Sequence, residues 1–166
     1  MDDIVLKTDE EKSAFYRGSI IQSAIEVELR MDIIIGRFLS SNNQEMTLDT
    51  INVFDNVESV GFHAKNLIIQ YILKKHFIGF LKENKEILKD IEYLITIRNY
   101  VAHKRPDFDK YGYKKLTWAK TSKNSVITRS YDIGWASHKE YEIKASEVLL
   151  KLYYLETLVI ERANGK

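Results

Sequence analysis

One proline and seven glycines in 166 residues leave this chain few places to break. Proline and glycine are the strongest interrupters of regular backbone, so a chain this poor in them is held to long elements, helices above all. The apolar residues agree. From about Glu10 to Ser40, Ile20, Ala24, Val27, Met31, Ile34, Ile35 and Phe38 follow the i, i+3, i+4, i+7 rule of a helix face. Ile21, Ile25 and Leu39 widen the stripe and predict burial over much of the circumference. The polar run "SSNNQEMT" breaks the pattern as a loop, and residues 47–60 fit either a short helix or an irregular connection. A second helix is predicted over 61–76, with Phe62, Ile69, Ile72 and Leu73 on its apolar side and Ile68 beside them. After a polar break at "KENKE", a third runs from about Lys85 to His103 and is ended by Pro106.

Beyond Pro106 the character changes. "YGYKKLTWAK" and "SVITRSYDIGW" are rich in β-branched and aromatic residues, with turn residues "TSKNS" between them. That reads as a β-hairpin over about 113–133. "EYEI" reads as a short extended piece before a last helix, about Ala145 to Arg162, with Val148, Leu149, Leu152, Leu155, Leu158 and Val159 as its stripe. The expected fold is mainly α: one domain over 1–166, a bundle of four to five helices with a hairpin insert before the last.

Composition narrows the function by exclusion. There are no cysteines, so disulfides and thiolate metal sites are ruled out. The acidic N-terminus "MDDIVLKTDEEK" reads as neither a signal peptide nor an anchor, and no apolar run approaches the ~20 residues of a bilayer span. A cytoplasmic location without membrane attachment is the expectation. A net charge of +1 gives no global pull towards nucleic acid.

The third helix holds an anomaly. With Ile87 at zero and 100° per residue, Ile91, Leu94, Ile95, Ile97, Val101 and Ala102 fall within roughly 80° of zero, and Arg98 falls at about 20°. A guanidinium keeps its charge and is costly to bury unpaired, so Arg98 must meet a carboxylate or face a cleft or subunit interface. Asn99 and His103, four apart, are neighbours on the opposite, polar side. His103 lies in the last turn, where the helix dipole favours an imidazolium, and imidazole chemistry suits proton transfer near neutral pH. Arg98 and His103 stand about 140° apart on an ideal helix. A long reach, a distorted last turn or a second copy of the helix is needed to bring them together. On spacing alone, a structural salt bridge for Arg98 and a helix-end role for His103 stay open.

The letters "RNYVAH" at 98–103 resemble the R-x4–6-H motif of the HEPN superfamily, in which a polar residue, often asparagine, follows the arginine. Arg98, Asn99 and His103 match, and Ala102 fits the small residue before the histidine. "AIEVELRMDIIIGRFL" is similar to that superfamily's first helix, where an acid interrupts an aliphatic run, and "GFHAKNLI" to a phenylalanine–lysine motif opening the second helix in some members. The resemblance spans roughly 17–105 and the last helix. It implies an all-α homodimer with the two motifs facing across a cleft, and in many members a metal-independent endoribonuclease of toxin–antitoxin or phage-defence systems. Cofactors are not required. Arg98 would then hold the phosphate and His103 take a proton from a ribose 2′-hydroxyl, with Asn99 orienting the imidazole or touching the phosphate. RNA and an antitoxin or regulatory protein are the implied partners. Nucleotide-accepting HEPN toxins carry a tyrosine two residues after the histidine; Arg105 stands there in this chain, so modification at that position is not expected. Other members are non-catalytic dimeric modules that bind a protein, a nucleotide or nucleic acid.

Further residues bear on the site. Glu28 and Asp32, four apart within the apolar arc of the first helix, need a partner, and a clamp on Arg98 is the expectation. Lys65 is either a phosphate contact or a solvated lysine. His63, His76 and His138 show no metal-ligand spacing and read as surface or structural residues, so no metal site is expected. The window 103–129 holds eight lysines and arginines, among them Lys104, Arg105, Lys114 and Lys115, interleaved with aromatic rings. That mixture suits single-stranded RNA, and equally a hairpin edge whose lysines discourage strand pairing.

Overall fold

A computed structural model describes residues 8–56, 60–103, 107–108, 114–122, 125–132 and 134–165; of these, 9, 55, 107–108, 114–122, 125–130 and 132 are described by their backbone alone. The described chain is mainly helical, with six helices: α1 (Asp9–Leu39), α2 (Gln44–Asn56), α3 (Phe62–His76), α4 (Ile78–Glu83), α5 (Ile87–His103) and α6 (Trp135–Ala163). Between α5 and α6 the backbone forms β1 (Asp107–Phe108), β2 (Lys114–Ser122) and β3 (Ser125–Asp132). They pair antiparallel in the order β1-β2-β3, with Lys115 opposite Asp107 on one side and Asp132 on the other.

The longest helix starts where its capping chemistry dictates. Thr8 accepts a hydrogen bond from the Glu11 amide, and the Glu11 carboxylate accepts one from the Thr8 amide, so two otherwise orphaned donors are satisfied reciprocally. Along α1, Ile20, Ala24, Val27, Met31, Ile34 and Ile35 are buried. Ile25 and Leu39 are exposed instead, because the helix offers a stripe to the core rather than its whole circumference. Phe62, Ile69, Ile72 and Leu73 of α3 join the same core, as do Ile87, Ile91, Leu94, Ile95, Ile97 and Val101 of α5.

The ambiguous segment 47–60 is helical as far as Asn56, in α2, which begins within the polar run at Gln44, and 57–59 lie outside the described residues. The polar break before α5 is preceded by a further short helix, α4, with Phe80 buried. The largest correction concerns the last helix. "EYEI" is helical, and α6 begins ten residues before Ala145. Its inner face is His138, Tyr141, Ala145, Val148, Leu152, Leu155 and Val159, all buried. The alternating three- and four-residue spacing is regular, but a histidine, a tyrosine and an alanine occupy its first half.

α1 and α6 form the spine and run in the same direction. Near their beginnings Ser19 and Ser23 donate to Glu142. Further along, Glu156 accepts from Arg30 at 2.5 Å and from Arg37 at 2.9 Å, and the Arg30 guanidinium stacks 3.8 Å over the Tyr153 ring. α5 is tied to α6 by Asp90, which pairs with Lys144 at 2.6 Å and lies 3.8 Å from Lys151. Among the described residues no helix is long and apolar enough to cross a membrane.

Candidate functional site at the end of α5

The burial of Leu94, Ile95, Ile97 and Val101 fixes the rotation of α5, and that rotation decides where Arg98 goes. Its Cα sits within the buried arc, so its aliphatic stem must run along the core boundary while its guanidinium works outward. The residue is half-buried. Its Nη1 donates to the Asn99 side-chain oxygen at 3.0 Å. Its Nε is buried and has no hydrogen-bond partner among the described residues. Among the described residues no carboxylate lies within ion-pair distance of Arg98.

Tyr141 reports the position of that charge. Its hydroxyl donates to the Leu94 carbonyl at 3.3 Å. Burial pushes this phenol well above its ordinary range, nearby Tyr93 pushes it further, and the Arg98 cation acts in the opposite direction. The Arg98 charge is therefore felt across the α5–α6 packing.

The expected clamp takes a different form. Glu28 and Asp32 engage Lys65, not Arg98: Lys65 Nζ lies 3.0 Å from Glu28 Oε1 and 2.8 Å from Asp32 Oδ2. Lys65 is therefore neither solvated nor presented as a phosphate contact, since it is buried with only 4% of its surface exposed. Burial alone would lower its pKa, but the two carboxylates outweigh that and hold it above the ordinary lysine range. The physical reason is placement. The first turn of α3 puts Lys65 against α1, where an ammonium on a long stem reaches both acids, whereas Arg98 extends from the end of α5.

His103 is the last residue of α5 and is exposed. It makes no hydrogen bond or ion pair among the described residues. The turn that carries it is secured by a residue that sequence reading passes over. Arg17 of α1 donates from Nη2 to the Val101 carbonyl at 2.6 Å. Carbonyls in a helix's final turn lack intrahelical donors, so this charged donor both satisfies one and offsets the dipole. Arg17, Arg98 and His103 thereby bring three basic side chains to one helix end. The signal for Arg17 was weak in sequence, a lone cation before an apolar run.

The remaining candidates are only partly placed. Lys104 and Arg105 lie outside the described residues, and Lys114 and Lys115 open β2. His63 is exposed and His76 is half-buried, but His138 is buried, ringed by Phe15, Tyr16 and Trp135. Among the described residues no group of His, Asp and Glu side chains could hold a metal ion. No protein-family model, no curated protein and no solved structure matches this chain.

Proposed function

We propose that this chain is a metal-independent endoribonuclease of HEPN type, with Arg98 and His103 at its active site, acting in the cytoplasm as a toxin or phage-defence effector. The observation that carries the proposal is the guanidinium of Arg98, which finds no carboxylate among the described residues, is held by Asn99 at 3.0 Å and keeps a buried Nε without a partner among them. A part-buried cation without a carboxylate is an anion site, and a planar guanidinium fits phosphate oxygens. The "RNYVAH" motif supplies the histidine at the same helix end, and Arg17 adds a second guanidinium nearby.

The chemistry follows from those groups. Neutral His103 accepts the proton of a ribose 2′-hydroxyl, and the 2′-oxygen attacks the adjacent phosphorus. Arg98 neutralises charge as it grows on the phosphoryl oxygens. The bond to the 5′-oxygen breaks, that oxygen takes up a proton, and the ends left are a 2′,3′-cyclic phosphate and a 5′-hydroxyl. Because Arg98 and His103 stand about 140° apart on an ideal helix, two chains meeting at the ends of α5 complete the site. Lys104, Arg105, Lys114 and Lys115 supply backbone contacts along the strand. An antitoxin or regulatory protein restrains the activity.

One observation favours a second reading. His103 has no orienting partner among the described residues, whereas a general base is ordinarily held by one. On that reading the chain is a non-catalytic dimeric module that binds a protein, nucleotide or nucleic-acid partner through the same cleft. Incubation of a labelled RNA with wild type and His103→Ala in EDTA separates the two. Cleavage by wild type alone supports the enzyme, and saturable RNA binding without cleavage by either supports the module.

A further inference from the structure

The outer face of α6 carries a ridge that no other described element packs against. Trp135, Lys139, Ile143 and Glu147 follow one another at four-residue spacing, and Leu150 continues the line. Trp135 is 61% exposed, Ile143 51% and Leu150 70%, whereas the opposite face of the same helix is core. A concavity runs along each flank, one of about 550 Å³ and one of about 540 Å³, and both are lined by Trp135, Lys139, Ile143 and Glu147. An i±4 ridge between two grooves is the surface from which helix-on-helix packing is built. Here exposed apolar groups alternate with charged ones along the ridge, the mixed pattern of a surface that can pack and pair charges at once.

The charges on this ridge name the occupant. Lys139 stands four residues before Ile143 and Glu147 four residues after it. Neither makes a hydrogen bond or ion pair among the described residues, although Glu147 is near enough to Lys144 to favour that residue's ammonium. We infer that the α6 ridge is a self-complementary interface, which packs antiparallel against the same ridge of a second copy about a two-fold axis at Ile143. In that arrangement Ile143 meets its own copy, and Lys139 of each chain faces Glu147 of the other, each about 6 Å along the axis from the centre. Trp135, eight residues before Ile143, faces Leu150, seven after it in the other chain. A parallel pairing would set lysine against lysine and glutamate against glutamate, so the pattern selects the antiparallel one. The surface carries neither Arg98 nor His103 and is separate from the meeting of α5 ends proposed above.

Sedimentation equilibrium on the whole chain tests it. Wild type is expected at twice the 19.4 kDa chain mass, or a multiple of that if the α5 ends also associate. Lys139→Glu alone, or Glu147→Lys alone, places like charges opposite each other twice per interface and is expected to weaken this association about tenfold. The double variant Lys139→Glu/Glu147→Lys restores the opposite signs and is expected to restore the association. Both positions are exposed, and an unchanged circular dichroism spectrum verifies that folding is intact. A wild type at single-chain mass at all concentrations overturns the inference. So does an assembly that the single reversals leave intact, or one that the double reversal fails to restore. None of these outcomes depends on RNA cleavage.

Discussion

Two cations on neighbouring helices show how differently a buried charge can be held. Lys65 sits between Glu28 and Asp32 and is fully compensated, whereas Arg98 has one amide oxygen and a buried nitrogen with no partner among the described residues. Removing them should therefore have very different effects on stability. Lys65→Met strands two carboxylates in the core boundary and is expected to cost about 3–5 kcal/mol in urea unfolding. Arg98→Met removes an unsatisfied donor and keeps the aliphatic stem, so stability is expected to change by less than about 1 kcal/mol while RNA cleavage is lost. A loss of stability at Arg98 as large as that at Lys65 would show that its guanidinium is a structural group after all. The identity of the residue that pairs with Glu28 and Asp32 was not legible in the sequence. Spacing showed that two acids lie in an apolar arc and need a cation, but Lys65 and Arg98 both qualify on paper. Only the three-dimensional register of α3 against α1 chooses between them.

At the scale of elements, helix–helix approach is set by small residues at particular places. Gly36 of α1 faces α2, and a Cβ there would lie 3.1 Å from both the side chain and the carbonyl oxygen of Thr47. Gly18, on the same helix, has nothing within 4 Å. Gly18→Ala is expected to raise stability by up to about 1 kcal/mol through helix propensity. Gly36→Ala gains the same propensity but pushes α2 away, with a net loss of about 1 kcal/mol expected. Thermal unfolding of the two variants side by side checks both signs. The inner faces of α1, α3 and α5 were plain in the sequence because isoleucine, leucine, valine and phenylalanine occupy them. The first half of α6 was not, because His138, Tyr141 and Ala145 hold its core positions while Trp135 and Ile143 point outward. The period was present, but the residue types that normally reveal it stood on the wrong side. Short α4 escaped for a related reason, with one buried residue, Phe80, to signal it.

At the scale of the whole molecule, paired lysines contribute to the alkaline limit of stability together with the phenols of Tyr93, Tyr131 and Tyr141, whose burial raises them too. Lys65 has a folded-state pKa above its ordinary value, and so does Lys144, which is raised chiefly by its hydrogen bond to Asp90. A raised lysine pKa stabilises the fold at pH values below the unfolded-state value of about 10.4, and that contribution is lost as pH rises through the folded value. In urea unfolding, stability is therefore expected to be level on this account through neutral pH and to fall above about pH 10.4. The drop should be smaller in Lys144→Gln, which removes one of the groups that are raised in the fold. The proposed catalysis belongs to this scale too, because on that proposal Arg98 and His103, about 140° apart on an ideal helix, are brought together by a second copy of the chain.

The most direct measurement is cleavage of an end-labelled single-stranded RNA in EDTA by wild type, Arg98→Met and His103→Ala, with the products resolved by their ends. The account predicts fragments ending in a 2′,3′-cyclic phosphate from wild type, and a fall of at least about a hundredfold in rate for His103→Ala with its fold intact. Equal rates for wild type and His103→Ala, or no cleavage by wild type at any concentration, would contradict it.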